Sequence, residues 1–298
     1  MRSVLAFAIW VGACASPASA PPAPAGPALS MAEILEQAPA ADWRALDPEN
    51  LLYMDLPAGR VIIELAPEFA PAHARNLRAL ARARYFDGAW IVRSQDNYVV
   101  QWSRAEDDPA PMGEGVAALA PEFARTRGGL PLFVLTDPDS YAPEVGFSGG
   151  FPVAGNSQES WLAHCYAMVG AGRGDTADSG SGAELYVVIG HAPRHLDRNI
   201  TLVGRVVQGM ELLSVMPRGT GPLGFYETPQ ERSPIRSIRL GIDVPAAERA
   251  GLEALRTESA TFAALVESRR TRRESWFLEP TGHINLCNVP LPARARAN

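Results

Sequence analysis

An arginine, a tyrosine and a glutamine lie close together in one stretch, and their chemistry suits a binding site. Arg93, Tyr98 and Gln101 follow the turn signal Asp87-Gly88, in a β-branched and aromatic run that predicts a strand. Since side chains alternate between the faces of a strand, the three can share a face only if the chain bends, and Asp96-Asn97 predicts that bend. Gathered on an apolar sheet, a cationic fork, an aromatic ring and an amide form a binding site. The alternative is that Arg93 extends along the strand to solvent.

Familiar catalytic motifs elsewhere in the chain lack the context they need. Gly146–Gly150 has the letters of a nucleophile elbow, but Pro143 precedes it and Pro152 follows it, where that motif requires a strand and a helix. His191 and His195 are separated by a proline and have no acidic ligand in register, which argues against zinc. A glycine-rich stretch later in the chain lacks the lysine and the spacing of a phosphate-binding loop. We therefore expect neither a metal nor a cofactor.

Composition limits the classes of partner. The chain has 298 residues, is 47% hydrophobic and carries a net charge of -6, so it can form one large domain or two small ones and is not expected to bind nucleic acid. Of its three cysteines, Cys165 and Cys287 could pair in an oxidising compartment. They could equally remain two buried free thiols, since sequence cannot show that they meet.

The N-terminus predicts export. Arg2 precedes the apolar run Val4–Ala13, which is too short to span a bilayer, and a small-residue cleavage site ends at Ala20. Residues 11–14 also resemble a bacterial lipobox, in which Cys14 would become the lipidated first residue of the mature protein. We therefore expect a periplasmic protein that is either cleaved after Ala20 or attached to the membrane through Cys14.

The elements that must position Arg93 are mostly strands. The apolar patterning predicts strands at Leu51–Leu56, Arg60–Leu65, from Trp90, Leu132–Leu135, Cys165–Val169, Leu185–Ile189, Thr201–Val207 and Ile235–Leu240, and helices at Ala72–Arg84 and Gln208–Val215. Near eight strands with two helices inside the series favour a mainly β fold, an eight-stranded closed antiparallel β-barrel with two capping helices, over a doubly wound sheet.

The remaining segments surround this barrel, which we place at residues 51–243. Residues 1–20 form the signal peptide, and residues 21–50 form a linker with a short helix that opens at Ser30. Residues 103–163 predict a long, partly ordered insertion. Residues 244–298 predict a C-terminal helical extension and a tail, with Leu252, Leu255, Phe262, Leu265 and Val266 on one helical stripe. The cluster Arg269–Arg273 is either a solvated helix end or a patch that docks on anionic lipid or an acidic partner.

From about Leu52 to Asp243 the chain resembles a cyclophilin, the peptidyl-prolyl isomerase family built on an eight-stranded barrel with two helices. The resemblance rests on the order of several pieces: 59–65, Pro71 with Asn76 and Leu80, 85–88, Arg93 with Tyr98 and Gln101, Met168, Glu184–Val188, Leu196-Asp197, 202–206 and Gly209-Met210. It implies a substrate class of proline-containing polypeptides and no cofactor.

The resemblance also implies which residues do the work. Arg93 and Gln101 take the places of the family's catalytic arginine and its pocket glutamine. The residues expected to contact the substrate are Tyr98, Val99, Glu184, Leu185, Tyr186, Leu196 and Ile200.

Several of these positions depart from the family's usual residues. Glu184 stands where glutamine is usual, Ile200 where histidine or tyrosine is, His195 where tryptophan or phenylalanine is, and Gly170 where an asparagine usually binds the substrate backbone. Two functions therefore stay open. One is a prolyl isomerase that assists the folding of exported proteins. The other is a cyclophilin-like peptide-binding or scaffold protein with weak or no catalysis.

Overall fold

The structure is a computed structural model that describes residues 29–296, apart from residues 106, 107 and 109. The predicted signal segment, with its alternative processing sites at Cys14 and Ala20, lies outside these residues. Within the described part of the chain, the α-helices are α1 (Met31–Glu36), α2 (Pro71–Arg82), α3 (Met210–Ser214) and α4 (Ala260–Thr271). None of these described helices has the length and apolar character needed to cross a membrane.

The same residues form seventeen strands. They are β1 (Trp43–Ala45), β2 (Leu51–Leu56), β3 (Gly59–Leu65), β4 (Trp90–Ser94), β5 (Val99–Ser103), β6 (Arg125–Thr126), β7 (Phe133–Leu135), β8 (Glu144–Ser148), β9 (Phe151–Gly155), β10 (Glu159–Leu162), β11 (Met168–Ala171), β12 (Leu185–Val188), β13 (Leu202–Gln208), β14 (Ser233–Pro234), β15 (Ser237–Leu240), β16 (Leu252–Leu255) and β17 (Ala293–Ala295).

The largest sheet closes on itself to form the predicted barrel. Its strand order is β14-β4-β5-β12-β11-β13-β3-β2-β15, and all neighbours are antiparallel. Only Ile235 and Arg236 separate β14 from β15, so one stretch of chain pairs with β4 at one end and with β2 at the other. Counting that stretch as a single strand gives the eight-stranded barrel that the sequence predicts, because it leaves neither edge of the sheet free.

Helices α2 and α3 cap this barrel, as predicted. Helix α2 begins with a proline, which is favourable at a first helical position because no intrahelical partner awaits its missing N–H. Its Leu77 and Leu80 are fully buried in the barrel core. The Glu122 carboxylate, from the insertion, accepts hydrogen bonds at 3.0 Å from the N–H groups of Ala72 and His73 at the start of this helix. The insertion therefore contributes to the capping of the barrel.

The insertion at residues 103–163 contains more regular structure than the single strand-like run of the prediction. It forms a five-stranded accessory sheet with the order β6-β10-β9-β8-β7. The strands are short and the segments that connect them are rich in glycine and proline, so hydrophobic alternation gives little sign of them. Their hydrogen bonds come from pairing with one another. Beneath this sheet lies a second apolar core that includes Phe147, Trp161 and Phe262.

The C-terminal extension corrects one prediction. Leu252 and Leu255 do not continue the stripe of a helix but lie on strand β16, which pairs with β1 on one side and with β17 on the other. Those two partners satisfy the backbone of β16 from distant parts of the chain, and a local helical pattern cannot anticipate this. The helix α4 begins only at Ala260, after Ser259 accepts a hydrogen bond from the N–H of Phe262.

Polar and covalent contacts join the barrel to the accessory parts. Cys165 and Cys287 form a disulfide that links the start of β11 to the C-terminal tail. Glu64, buried on the barrel wall, binds Arg44 at 2.5 Å and Arg205 at 3.3 Å. The Arg44 guanidinium also donates to the Gly149 carbonyl at 2.8 Å. Barrel, insertion and tail are therefore tied together at several separate points.

Candidate active site

The Arg93 side chain is held in place by contacts on several sides. Arg93 lies on β4. Its Nη1 donates to Gln101 Oε1 at 3.0 Å, and its Nε donates to the Leu223 carbonyl at 2.7 Å. Its Nη2 donates to the side-chain oxygen of Gln95. Among the described residues, these acceptors leave one N–H on each terminal nitrogen to donate to a ligand. The guanidinium is therefore oriented before any ligand arrives.

Aromatic rings complete this enclosure. The Arg93 guanidinium carbon lies 5.6 Å from the centre of the Tyr98 ring and 5.1 Å from that of Phe225. These are distances at which a cation is attracted to the face of a ring. Burial lowers the pKa of Arg93 from its ordinary value, but an arginine still stays charged. Arg93 therefore does not extend to solvent, the alternative left open by the sequence.

A tight turn provides the bend that the sequence required. Strands β4 and β5 form a hairpin, and Asn97 in its turn has a positive φ of 51°, a conformation that asparagine tolerates better than most residues. The register between the strands shifts after Ile91, so that Arg93 lies opposite Gln101. Tyr98 leaves the turn on the same side, and the structure brings the three residues together.

Neighbouring strands extend this pair into a row across the barrel wall. Gln101 pairs with Tyr186 on β12, and Tyr186 pairs with Gly170 on β11. Next to this row lies a small apolar cluster of Val99, Tyr186 and Val188, against which Tyr98 and Ile200 pack. Arg93 and Gln101 thus border a compact apolar floor.

Tyr186 occupies the space that a side chain at position 170 would need. A Cβ atom built on Gly170 would lie 2.3 Å from the Tyr186 hydroxyl oxygen, which no packing tolerates. The tyrosine ring therefore lies across Gly170. The missing side chain at this position is compensated by the neighbouring strand rather than left as a void.

Glu184 acts on Arg93 through Gln101. The Gln101 side-chain nitrogen donates to Glu184 Oε1. Since a carboxylate only accepts hydrogen bonds, the amide oxygen of Gln101 must face the other way, toward Arg93. Burial raises the pKa of Glu184, while the bond from Gln101 and the charge of Arg93 oppose that rise.

Two of the expected contact residues lie elsewhere. Leu185 is fully buried in the barrel core with Trp102, its cross-strand partner, because alternation along β12 turns it away from the face of Tyr186. Leu185 therefore does not line this site, which corrects the prediction. Leu196 is half-buried on a helical turn outside the apolar cluster. His195, on the same turn, stacks parallel to Tyr98 with ring centres 6.5 Å apart.

Sequence reasoning missed several groups that shape the site. Gln95, Phe225 and the Leu223 carbonyl all contact Arg93, and the last two belong to a loop for which no structure was predicted. A backbone carbonyl leaves no signal in the sequence, and Gln95 stands beside the turn signal without being part of it. His164, which donates or accepts at 2.8 Å from the Tyr186 hydroxyl, is 22 residues from its partner and could be found only from the register of the strands.

Comparisons with known proteins show the family and the fold. Residues 51–240 match the sequence model of the family described as cyclophilin type peptidyl-prolyl cis-trans isomerase/CLD. Peptidyl-prolyl cis-trans isomerase-like 1 proteins from Bos taurus and Homo sapiens are each 25% identical over 203 residues, which is 68% of this chain and 93% of theirs.

One solved structure shares the fold over a longer stretch. The cyclophilin AquaCyp293 from Hirschia baltica superposes with a TM-score of 0.68 and 24% identity, covering 85% of this chain and 92% of its own. That share is larger than residues 51–240 alone can supply, so the similarity in fold continues beyond the barrel.

Proposed function

The chain belongs to the cyclophilin-type peptidyl-prolyl cis-trans isomerase family, and on that premise we propose that it isomerises X-Pro bonds in exported polypeptides. The observation that carries the proposal is the oriented Arg93 guanidinium, with free N–H groups beside an apolar floor. The proline ring would lie on Val99 and Tyr186, with Tyr98 and Ile200 at its sides.

Isomerisation of an X-Pro bond requires no covalent step from the protein. The barrier to rotation about a peptide bond is about 18–20 kcal/mol, and at X-Pro the two isomers are close in energy. No bond to a heavy atom forms or breaks, so no nucleophile is needed. As the bond twists, its nitrogen loses conjugation with the carbonyl, becomes pyramidal and keeps its lone pair localised on itself. A free N–H of Arg93 would donate to that nitrogen, which stabilises the twisted state more than either planar state.

Gln101 and Glu184 would support this step without touching the reacting bond. The carboxylate of Glu184 turns the Gln101 amide so that its oxygen accepts from Arg93. A donor held in position before the reaction loses no free energy to reorganisation during it.

Export is the second part of the proposal. It is supported by the N-terminal signal pattern, which ends at Ala20 or, if Cys14 is lipidated, at Ala13. It is also supported by the Cys165–Cys287 pair, because disulfides persist in oxidising compartments such as the periplasm. The clients would then be proline-containing proteins of the cell envelope, and lipidation of Cys14 would hold the enzyme at the membrane.

A second candidate function is peptide binding without useful turnover. It is favoured by Gly170 and Tyr186, since the asparagine that usually contacts the substrate backbone in this family is absent and a tyrosine ring fills its place. Such a protein would use the same apolar floor to hold proline-containing segments as a scaffold.

The deciding experiment measures cis-to-trans isomerisation of a short X-Pro peptide by the purified mature protein. We expect acceleration by the wild type and a loss on the order of 100-fold in Arg93→Ala, the size seen when a preorganised donor is removed. Arg60→Ala is the matched control, because Arg60 also lies over a ring, 5.2 Å from the centre of Tyr53, but on the far strand β3. A folded wild type that binds the peptide without accelerating its isomerisation would support the scaffold function instead.

A further inference from the structure

A continuous chain of buried polar groups runs behind the apolar floor. His164 Nε2 lies 2.8 Å from the Tyr186 hydroxyl, and His164 Nδ1 lies 2.9 Å from Asp197 Oδ1. Asp197 binds Arg194 at 2.6 Å, and Arg194 binds Asp139 of the insertion at 3.0 Å. This series of hydrogen bonds and ion pairs therefore connects the apolar floor at Tyr186 to Asp139 of the insertion.

The direction of each hydrogen bond in this chain can be assigned. Burial would raise the pKa of Asp197, but the bond from His164 and the charge of Arg194 outweigh it and lower that pKa, so the carboxylate is ionised. His164 Nδ1 must then be the donor to it. Burial lowers the pKa of His164, so the ring is neutral and its Nε2 accepts a hydrogen bond from the Tyr186 hydroxyl.

These groups are almost completely shielded from water. The side chain of His164 is 0% exposed, that of Arg194 3% and that of Asp139 2%. Arg194 also lies over the Tyr141 ring at 5.1 Å. A buried network with all its partners in place resists rearrangement, because breaking one bond leaves a charge or a polar group stranded. A rigid anchor is therefore available to the hydroxyl of Tyr186.

We propose that His164 is a positioning residue that locks the Tyr186 ring across Gly170 and thereby sets the floor on which the substrate's proline ring rests. The proposal depends on the function proposed above for this site. Position 170 has no side chain to hold the hydroxyl end of the ring, which lies across it. The hydroxyl is held by its bond to His164, and Asp197 fixes which nitrogen of His164 faces it.

The competing explanation is that the network only fastens the insertion to the barrel. A purely structural role would lower stability in every variant without altering peptide affinity at temperatures where the protein is folded. The test therefore needs variants that cut the Tyr186–His164 bond selectively, and a readout of the pocket that does not depend on turnover.

Four substitutions provide that selectivity. Tyr186→Phe removes only the hydroxyl. In His164→Asn the amide still reaches Asp197 but is too short to reach Tyr186, whereas in His164→Gln the amide extends toward Tyr186 and can accept its hydrogen bond. Tyr53→Phe is the matched control, since Tyr53 is likewise buried and its hydroxyl accepts from the Ala250 N–H at 3.1 Å, far from the site.

The measurement is the dissociation constant of a short X-Pro peptide, followed by NMR titration, together with the KM, kcat and melting temperature of each variant. We expect Tyr186→Phe and His164→Asn to weaken binding about fivefold, as the loss of one hydrogen bond would, with KM raised in parallel and kcat little changed. His164→Gln should restore most of the affinity, and Tyr53→Phe should lower only the melting temperature.

The outcomes separate this inference from the proposed function. Wild-type affinity in both Tyr186→Phe and His164→Asn, with a normal wild-type dissociation constant, overturns the positioning role whether or not the protein is an enzyme. A wild type that binds peptide without turnover overturns the isomerase but leaves the binding comparison valid. Weakened binding in Tyr53→Phe to the same extent would also overturn the proposal, because the effect would then not be specific to this bond.

Discussion

At the scale of single residues, Glu184 acts on Arg93 only through Gln101. Since the pKa of Glu184 is raised, the carboxylate takes up a proton as the pH falls through a value above 4.5. Protonation removes the charged acceptor that orients the Gln101 amide. We expect wild-type turnover to fall as the pH is lowered toward that value, and Glu184→Gln to be slower by on the order of tenfold at neutral pH and flat across the range.

The control for this pH profile is Asp96→Asn, which removes an exposed carboxylate from the turn of the same hairpin. Its profile should match that of the wild type. A Glu184→Gln profile with the same inflection as the wild type would contradict the assignment to Glu184.

The same residue predicts a difference in stability. A folded-state pKa above the unfolded value means that folding favours the protonated acid, so this contribution is present at low pH and is lost as the pH rises through the folded pKa. At pH 7 the wild type therefore lacks this stabilising contribution. The Glu184→Gln variant keeps it, because its side chain is neutral at every pH. Thermal unfolding should show a higher melting temperature for the variant at pH 7 and a shrinking difference toward pH 4.5. An equal difference at both pH values would contradict this.

Residue spacing predicted part of the site and could not predict the rest. Arg93, Tyr98 and Gln101 follow from one stretch of sequence with a turn signal in it, and the structure brings them together. Leu185 was predicted to line the site, but successive residues of a strand point to opposite faces, so Leu185 points into the core and Tyr186 into the site. The substitution at Gly170 was visible, but its compensation by Tyr186 and His164 depends on cross-strand register, which no local pattern contains.

At the scale of elements, the loop that contains the turn Pro222–Gly224 holds Arg93 by its backbone. Leu223 has a positive φ of 56° and a side chain that is 66% exposed, while its carbonyl accepts from Arg93 Nε. The conformation matters here, not the side chain. We expect Leu223→Gly, which adopts this φ freely, to keep wild-type turnover. Leu223→Pro, whose φ is fixed near -65°, should displace the carbonyl and lower kcat/KM roughly tenfold or more.

Both loop variants should be compared with the wild type in the X-Pro isomerisation assay, alongside their melting temperatures. Equal activity in Leu223→Pro and Leu223→Gly, with both folded, would show that the carbonyl has no part in orienting Arg93.

Elements differ in how well their sequence predicts them. Most of the barrel strands and helix α2 have strong periodic patterns and were predicted close to their observed bounds. Strand β11 is the exception, since it begins at Met168, three residues after the predicted start at Cys165. Strand β16 was not predicted, because Leu252 and Leu255 fit a helical stripe as well as a strand, and pairing with β1 and β17 decides between the two. The accessory sheet is built of short strands joined by segments with many glycines and prolines, so only its β7 was anticipated.

At the scale of the whole molecule, the disulfide between Cys165 and Cys287 joins the barrel to the tail across 122 residues of sequence. Closing so long a loop in the unfolded chain is worth about 5 kcal/mol. We expect the double variant Cys165→Ser, Cys287→Ser to melt roughly 10 °C lower than the oxidised wild type. Its turnover at 25 °C should stay unchanged, because the tail makes no contact with Arg93 among the described residues.

The check is differential scanning calorimetry on both proteins, with the reduced wild type as the control for the substitutions themselves. Reduction should lower the wild-type melting temperature toward that of the double variant. A double variant as stable as the oxidised wild type would mean that packing alone, through the Glu64 cluster and the second core, holds the tail.

The exchange of bulk between Gly170 and Tyr186 constrains how this protein can change by mutation. Restoring an asparagine at 170 while Tyr186 remains would force two groups into one volume, and shortening Tyr186 first would leave both positions empty. Each single step therefore passes through a damaged intermediate, although the completed double change could pack well. The two positions are expected to be strongly epistatic, so laboratory evolution toward a conventional pocket should recover changes at both sites together or at neither.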